Sequence, residues 1–114
     1  MNYYENIVLL SDSLSEQELQ SAIERIQGAV KEAGGQLIRT EQWGLRKLAY
    51  VLNKHRKGYY VLLLLQAPPQ AIKKLEDFYK VFDPVFKFMV VKLGKHQLQA
   101  LQRELQEAAA PENV

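Results

Sequence analysis

Residues 11–35 read SDSLSEQELQSAIERIQGAVKEAGG, and this stretch decides the fold because both ends of a helix and its buried face are legible in it. Two overlapping capping boxes, Ser13-x-x-Glu16 and Ser15-x-x-Glu18, offer side chains that satisfy the first free amides of a helix. Leu19, Ile23, Ile26 and Val30 follow, with Ala22, Ala29 and Ala33 beside them. Spacings of three and four place these residues in one apolar stripe on one helix face. Gly34-Gly35 ends the helix, because glycine adopts the left-handed conformation that closes the last turn.

Working outward, Tyr3 to Leu10 is a run of strand-formers stopped by Ser11-Asp12-Ser13, which predicts a strand and a turn. On the other side, Gln36 to Trp43 predicts a second strand and Gly58 to Gln66 a third. The connection from Gly44 to Lys57 is long for a hairpin; its first half has strand composition and its tip is basic. An extended hairpin with a mobile end is expected there. Ala67-Pro68-Pro69 then punctuates the chain, and Ile72, Leu75, Tyr79 and Phe82 form a second helical stripe. Asp83-Pro84 breaks it, and Val85 to Lys92 reads as a last strand.

The order strand, helix, strand, strand, helix, strand predicts an α+β, ferredoxin-like βαββαβ domain over residues 1–93. Right-handed crossovers place both helices on one face of a four-stranded antiparallel sheet. Residues 94–114 form a C-terminal extension, partly helical, in which Leu98, Leu101 and Leu105 sit at helical spacing within a glutamine-rich stretch.

Composition bounds the chemistry. The 114 residues amount to one domain, 47% apolar and 25% charged, enough to bury a core without covalent staples. The absence of cysteine excludes disulfides, thiolate metal sites and thiol nucleophiles. His55 and His96 are far apart and have no acidic cluster near them, so neither a metal site nor a cofactor is expected. The longest apolar run, Tyr59 to Leu65, is too short to span a membrane, and no secretion signal is visible, so a soluble cytoplasmic domain is the expectation.

Charge is informative once divided. Residues 1–37 carry six carboxylates against two cations, whereas residues 38–67 carry Arg39, Arg46, Lys47, Lys54, Arg56 and Lys57 against Glu41 alone. A local cationic excess suits contact with phosphates, and a solvated lysine-rich hairpin is the plainer alternative. The sheet carries a second signal. If Val61, Leu63 and Leu65 face the helices, then Tyr60, Leu62 and Leu64 face outward, as do Ile7, Leu9, Met89 and Val91 by the same alternation, with Lys87 among them. Such an apolar patch marks a protein contact, or else the C-terminal extension folds back over it.

Catalysis is not expected. An acylphosphatase on this architecture needs a glycine-containing loop with an arginine after the first strand, and this chain has Ser11-Asp12-Ser13-Leu14-Ser15. No histidine lies near those serines to act as a base, and no carboxylate pair suggests general acid–base chemistry. An RNA-recognition motif shares the strand order, but in Lys57-Gly58-Tyr59-Tyr60-Val61-Leu62-Leu63-Leu64 the later stacking aromatics are replaced by Val61 and Leu64.

The block Trp43-Gly44-Leu45-Arg46-Lys47-Leu48-Ala49-Tyr50 resembles the bacterial small-subunit ribosomal protein S-six family. Tyr4-Glu5, Gly58-Tyr59-Tyr60, Ala67-Pro68 and Val85-x-x-x-Met89-Val90-Val91-Lys92 match it co-linearly from about Tyr3 to Leu93. The resemblance implies a non-enzymatic constituent of the small ribosomal subunit. It further implies binding to central-domain small-subunit rRNA together with ribosomal protein S-eighteen, in support of the platform. Arg46, Lys47, Lys87 and Lys92 are carried over from it as RNA-facing, and Lys54, Arg56 and Lys57 join them from charge alone. Trp43 and Tyr50 are expected to pack the hairpin base. Two departures stand out: Lys87 takes the place of a frequent arginine and Val51 that of a frequent proline. The ending Ala110-Pro111-Glu112-Asn113-Val114 predicts no glutamate-extended tail of the kind some relatives carry.

Overall fold

The computed structural model describes residues 1–52, 54–100 and 103. Its elements follow the expected order: β1 (Asn2–Ser11), α1 (Glu16–Glu32), β2 (Gln36–Leu52), β3 (His55–Ala67), α2 (Pro69–Val81) and β4 (Val85–Lys92). The strands form one antiparallel sheet in the order β2-β3-β1-β4, so β2 and β4 are its edges.

Of the two capping boxes available to α1, the chain uses the second. The Glu18 amide donates to the Ser15 hydroxyl at 3.1 Å, and the Ser15 amide donates to the Glu18 carboxylate at 2.8 Å. The bond from the Ser15 amide and, after it, the Ser15 side chain hold the Glu18 carboxyl below its ordinary value. At the other end the Gly35 amide reaches the Val30 carbonyl and the Gly34 amide the Lys31 carbonyl, a Schellman closure that requires the positive φ of Gly34. α2 starts on Pro69 without a side-chain cap and stops one residue short of Phe82. Phe82 therefore lies just beyond the helix, where its ring still packs on the core and stacks on Phe78 at 4.9 Å.

The core lies between the sheet and both helices. Val8 and Leu10 of β1 and Val61, Leu63 and Leu65 of β3 meet Leu19, Ile23, Ile26 and Val30 of α1 and Leu75 and Tyr79 of α2. The alternation anticipated for β3 is therefore the one adopted. One polar side chain is sealed in this layer. Asn6 donates from its amide to the Met89 carbonyl at 2.9 Å and accepts from the Tyr79 hydroxyl. Burial pushes the Tyr79 phenol well above its ordinary value.

The hairpin differs from expectation in extent. β2 and β3 continue past Trp43 and before Gly58, and the ladder closes with Leu52 facing His55. The expected mobile end falls on a tip where Asn53 lies outside the described residues. The extension expected after Gly94 is helical over 95–100, with the Leu98 amide bonded to the Gly94 carbonyl. Leu101 and Leu105 lie outside the described residues.

Candidate nucleic-acid and partner interface

Gly58 is the last β3 residue with a β1 partner, facing Ser11, so residues 46–57 form a two-stranded arm beyond the end of β1. Arg46 faces Gly58 and Lys47 faces Lys57 across the ladder, while Lys54 at the tip adopts a left-handed backbone (φ +68°). Arg46, Lys47, Lys54, Arg56 and Lys57 are all exposed. Between the pairs Lys47–Lys57 and Leu52–His55, residues 48–51 of β2 stand against Arg56 alone. This excess makes a wide bulge, which bends a strand. It carries the Leu-Ala-Tyr block across the helix-free face of the sheet: Leu48 is buried, while Tyr50 and Val51 remain exposed.

A second contact holds the arm down. His55 stacks on Phe86 of β4 at 4.2 Å, and its Nδ1 lies 3.2 Å from the Asp12 carboxylate in the β1–α1 turn. Beneath them Gly58 leaves room for the Phe86 ring, since a Cβ there would meet Cζ at 2.8 Å.

The helix-free face carries Ile7, Leu9, Tyr60, Leu62, Leu64, Met89 and Val91, as the alternation predicts. Its accessibility is uneven, and two residues depart from the expectation of an open patch. Leu9 is only 6% exposed, with the bulged segment above it, and Leu64 only 3%, packed with Leu93, Tyr3, Ile38 and Leu98. Cover by the extension, one of the two alternatives drawn from sequence, is seen over part of the face only. The extension covers the Leu64 end, while Met89 (44% exposed) and Val91 stay open beside β4. Between bulge and sheet lies a cleft of about 210 Å³, lined by Ile7, Leu9, Tyr50, Tyr60, Lys87 and Met89 among others. Lys87 is half-buried and lines it beside aromatic and apolar residues, whereas Lys92 is exposed near the opposite end of β4. The expected site residues therefore separate into a cationic arm, an apolar face beside it, and Lys92 apart from the arm.

Sequence reading paired Trp43 with Tyr50 as packing residues, and the structure separates them. Trp43 lies nearly parallel to Tyr60, with ring centroids 6.4 Å apart, whereas Tyr50 is largely exposed on the bulge. The contact of His55 with Phe86 and Asp12 was missed, because residues 43 and 31 positions apart share no local pattern. The one available signal was a glycine, Gly58, preceding an aromatic pair at a strand start.

A sequence model of the family described as ribosomal protein S6 matches residues 3–92. The chain belongs to the ribosomal protein S6 family. It is 40% identical over 91 residues to the small ribosomal subunit protein bS6 of Clostridium novyi, a match covering 80% of this chain and 96% of that one. The bS6 protein of Mesorhizobium japonicum is 35% identical over 97 residues, covering 85% of this chain and 58% of that longer one. The fold agrees as well. The crystal structure of 30S ribosomal protein S6 from Thermotoga maritima superposes with a TM-score of 0.80 at 24% identity, covering 92% of this chain and 97% of that one. As an S6 family member the chain is a structural constituent of the small ribosomal subunit, placed on the ribosome in the cytoplasm, and not an enzyme.

Proposed function

We propose that this S6 family chain binds small-subunit rRNA of the central domain, in the platform, together with ribosomal protein S-eighteen. The phosphates meet Arg46, Lys47, Lys54, Arg56 and Lys57 on the arm, with Lys87 and Lys92 on β4, and the partner protein meets the open part of the sheet face around Met89 and Val91. The observation that carries the reading is the pairing of Lys47 with Lys57 in the ladder, flanked by Arg46. Like charges directly opposite on a sheet repel and destabilise it. No carboxylate occurs between Glu41 and Glu76, and the Asp12 carboxylate that reaches the arm lies against His55, so an external anion is the natural counter-charge for the lysine pair. A two-stranded arm projecting past β1 brings those cations to a nucleic-acid backbone without strain on the core.

The test is a titration of a central-domain rRNA fragment over a range of salt, with and without ribosomal protein S-eighteen. Each neutralised phosphate contributes about 0.7 to 0.9 to the slope of log affinity on log salt. Replacing Arg46, Lys47 and Lys57 by glutamine should lower that slope by about 2 to 3 units. Replacing Tyr60, Leu62 and Met89 by polar residues should weaken partner binding while the protein stays folded. Tight binding by this chain alone to many single-stranded RNAs would replace the joint reading with that of a general RNA-binding module. An absence of binding under every condition would overturn both.

A further inference from the structure

Trp43 is the single tryptophan of the chain, and it occupies a bulge position that the β2–β3 ladder skips: Gln42 faces Val61 and Gly44 faces Tyr60. A bulge re-aims the side chain it carries. Gly44 supplies the required backbone at φ +85°, and nothing lies within 4 Å of where its Cβ would be, so glycine serves conformation there and not space. Each polar contact around the indole then fixes its plane. The indole Nε1 donates to Glu41 at 3.3 Å, and Glu41 is ion-paired with Arg39 at 3.1 Å. The Arg46 guanidinium lies 5.3 Å from the indole centroid, with its Nε donating to the Trp43 carbonyl at 3.4 Å. Tyr60 lies beside it at an interplanar angle of 12°.

The result is a large ring oriented by Glu41, Arg46 and Tyr60 yet still 38% exposed, at the root of the cationic arm. Burial does not explain it, because a ring placed only to pack would be covered. We infer that Trp43, with Tyr60 and Arg46, is a stacking platform for an unpaired base of an RNA strand whose phosphates follow the arm. Any base offers a π-face to such a ring, and a guanidinium beside it adds cation–π attraction and a phosphate contact. The inference rests on the proposed contact between arm and RNA, and adds that the contact includes a base. Tyr60 then stands on the boundary between RNA and partner protein.

The experiment labels the full chain with 5-fluorotryptophan, which gives one ¹⁹F resonance, and titrates it with the central-domain rRNA fragment in the presence of ribosomal protein S-eighteen. Trp43→Leu removes the stack, Trp43→Phe keeps an aromatic face, and circular dichroism monitors the fold. Expected are a ring-current shift of the resonance on adding RNA, a loss of about 5- to 100-fold in affinity for Trp43→Leu, and a much smaller loss for Trp43→Phe. The salt slope should be unchanged in both variants, since no charge is removed. If Trp43→Leu does not fold, the resonance shift and the Trp43→Phe affinity decide the matter by themselves. Salt-dependent RNA binding with an unmoved resonance, or with equal affinity in Trp43→Leu, would overturn the platform and leave the arm's phosphate contact standing. A resonance that moves on adding the partner protein and not further on adding RNA would assign the ring to the protein interface and overturn the inference. Failure of the wild-type chain to bind RNA at any salt would overturn both.

Discussion

Tyr79→Phe removes one hydroxyl from the least forgiving place in this fold. Asn6 is fully sealed and Tyr79 is 2% exposed, and together with the Met89 carbonyl they form a chain of two hydrogen bonds joining α2 to β1 and β4. With the hydroxyl gone, the Asn6 Oδ1 atom loses its donor in a place closed to bulk solvent. An orphaned buried acceptor costs about 1 to 3 kcal/mol, and the space vacated by one oxygen adds little. For a domain of this size, with m of about 1.5 kcal/mol/M, the urea midpoint should fall by roughly 0.7 to 2 M at unchanged m. A double-mutant cycle with Asn6→Leu isolates the pair, and the double variant should be less destabilised than the sum of the singles by about 1 kcal/mol or more. The same site has an alkaline signature. Burial holds the folded phenol well above its ordinary value of 10.0, so above about pH 10 the unfolded chain has released a proton that the folded chain retains. Wild-type stability should then fall with rising pH by up to about 1.4 kcal/mol per unit more steeply than that of Tyr79→Phe. A Tyr79→Phe variant within about 0.5 kcal/mol of wild type, or an additive cycle, would refute the reasoning.

Three further variants test local parts of the structure. Ser15→Ala should cost α1 about 1 kcal/mol in thermal or urea unfolding, since it removes the side-chain cap. Glu18→Gln keeps the shape of the box and loses its charge, so its deficit against wild type should be present above about pH 4.5 and vanish as pH falls and the native carboxyl is protonated. Gly58→Ala should destabilise by about 1 to 3 kcal/mol, because the new methyl displaces the Phe86 ring that carries His55. Amide exchange should quicken in the arm more than in α1, and equal quickening of both would count against the contact as the arm's anchor.

Much of the architecture was legible because it rests on local rules. The stripe Leu19, Ile23, Ile26 and Val30 requires only the helical period, and the stop at Gly34-Gly35 only the freedom of glycine. Strand alternation correctly separated Val61, Leu63 and Leu65 from Tyr60, Leu62 and Leu64. The choice between Ser13 and Ser15 as cap was not legible, since both boxes satisfy the same pattern. Nor was the length of β2, because the ladder reaches Leu52 only by accommodating four residues opposite one, and propensity does not report bulges. The cationic residues of the candidate site were legible by count, and their disposition was not. Lys87 in a cleft, Lys92 apart from the arm and the Lys47–Lys57 pair all follow from register.

The sequence by itself determined the order of elements, the face on which each side chain lies and the concentration of positive charge between residues 38 and 67, and the S6 family pattern is written in the same residues. These are properties of neighbours along the chain, where a period of 2 or 3.6 residues is set by backbone geometry alone. Only the tertiary structure decided how much of the sheet face stays open, which ring Trp43 lies against, and that Asn6 and Tyr79 meet across 73 residues. Those outcomes depend on contacts between segments that share no local period, and coverage of a surface follows from which distant segment reaches it first. A face is fixed by the strand that bears it, and its exposure by the rest of the chain.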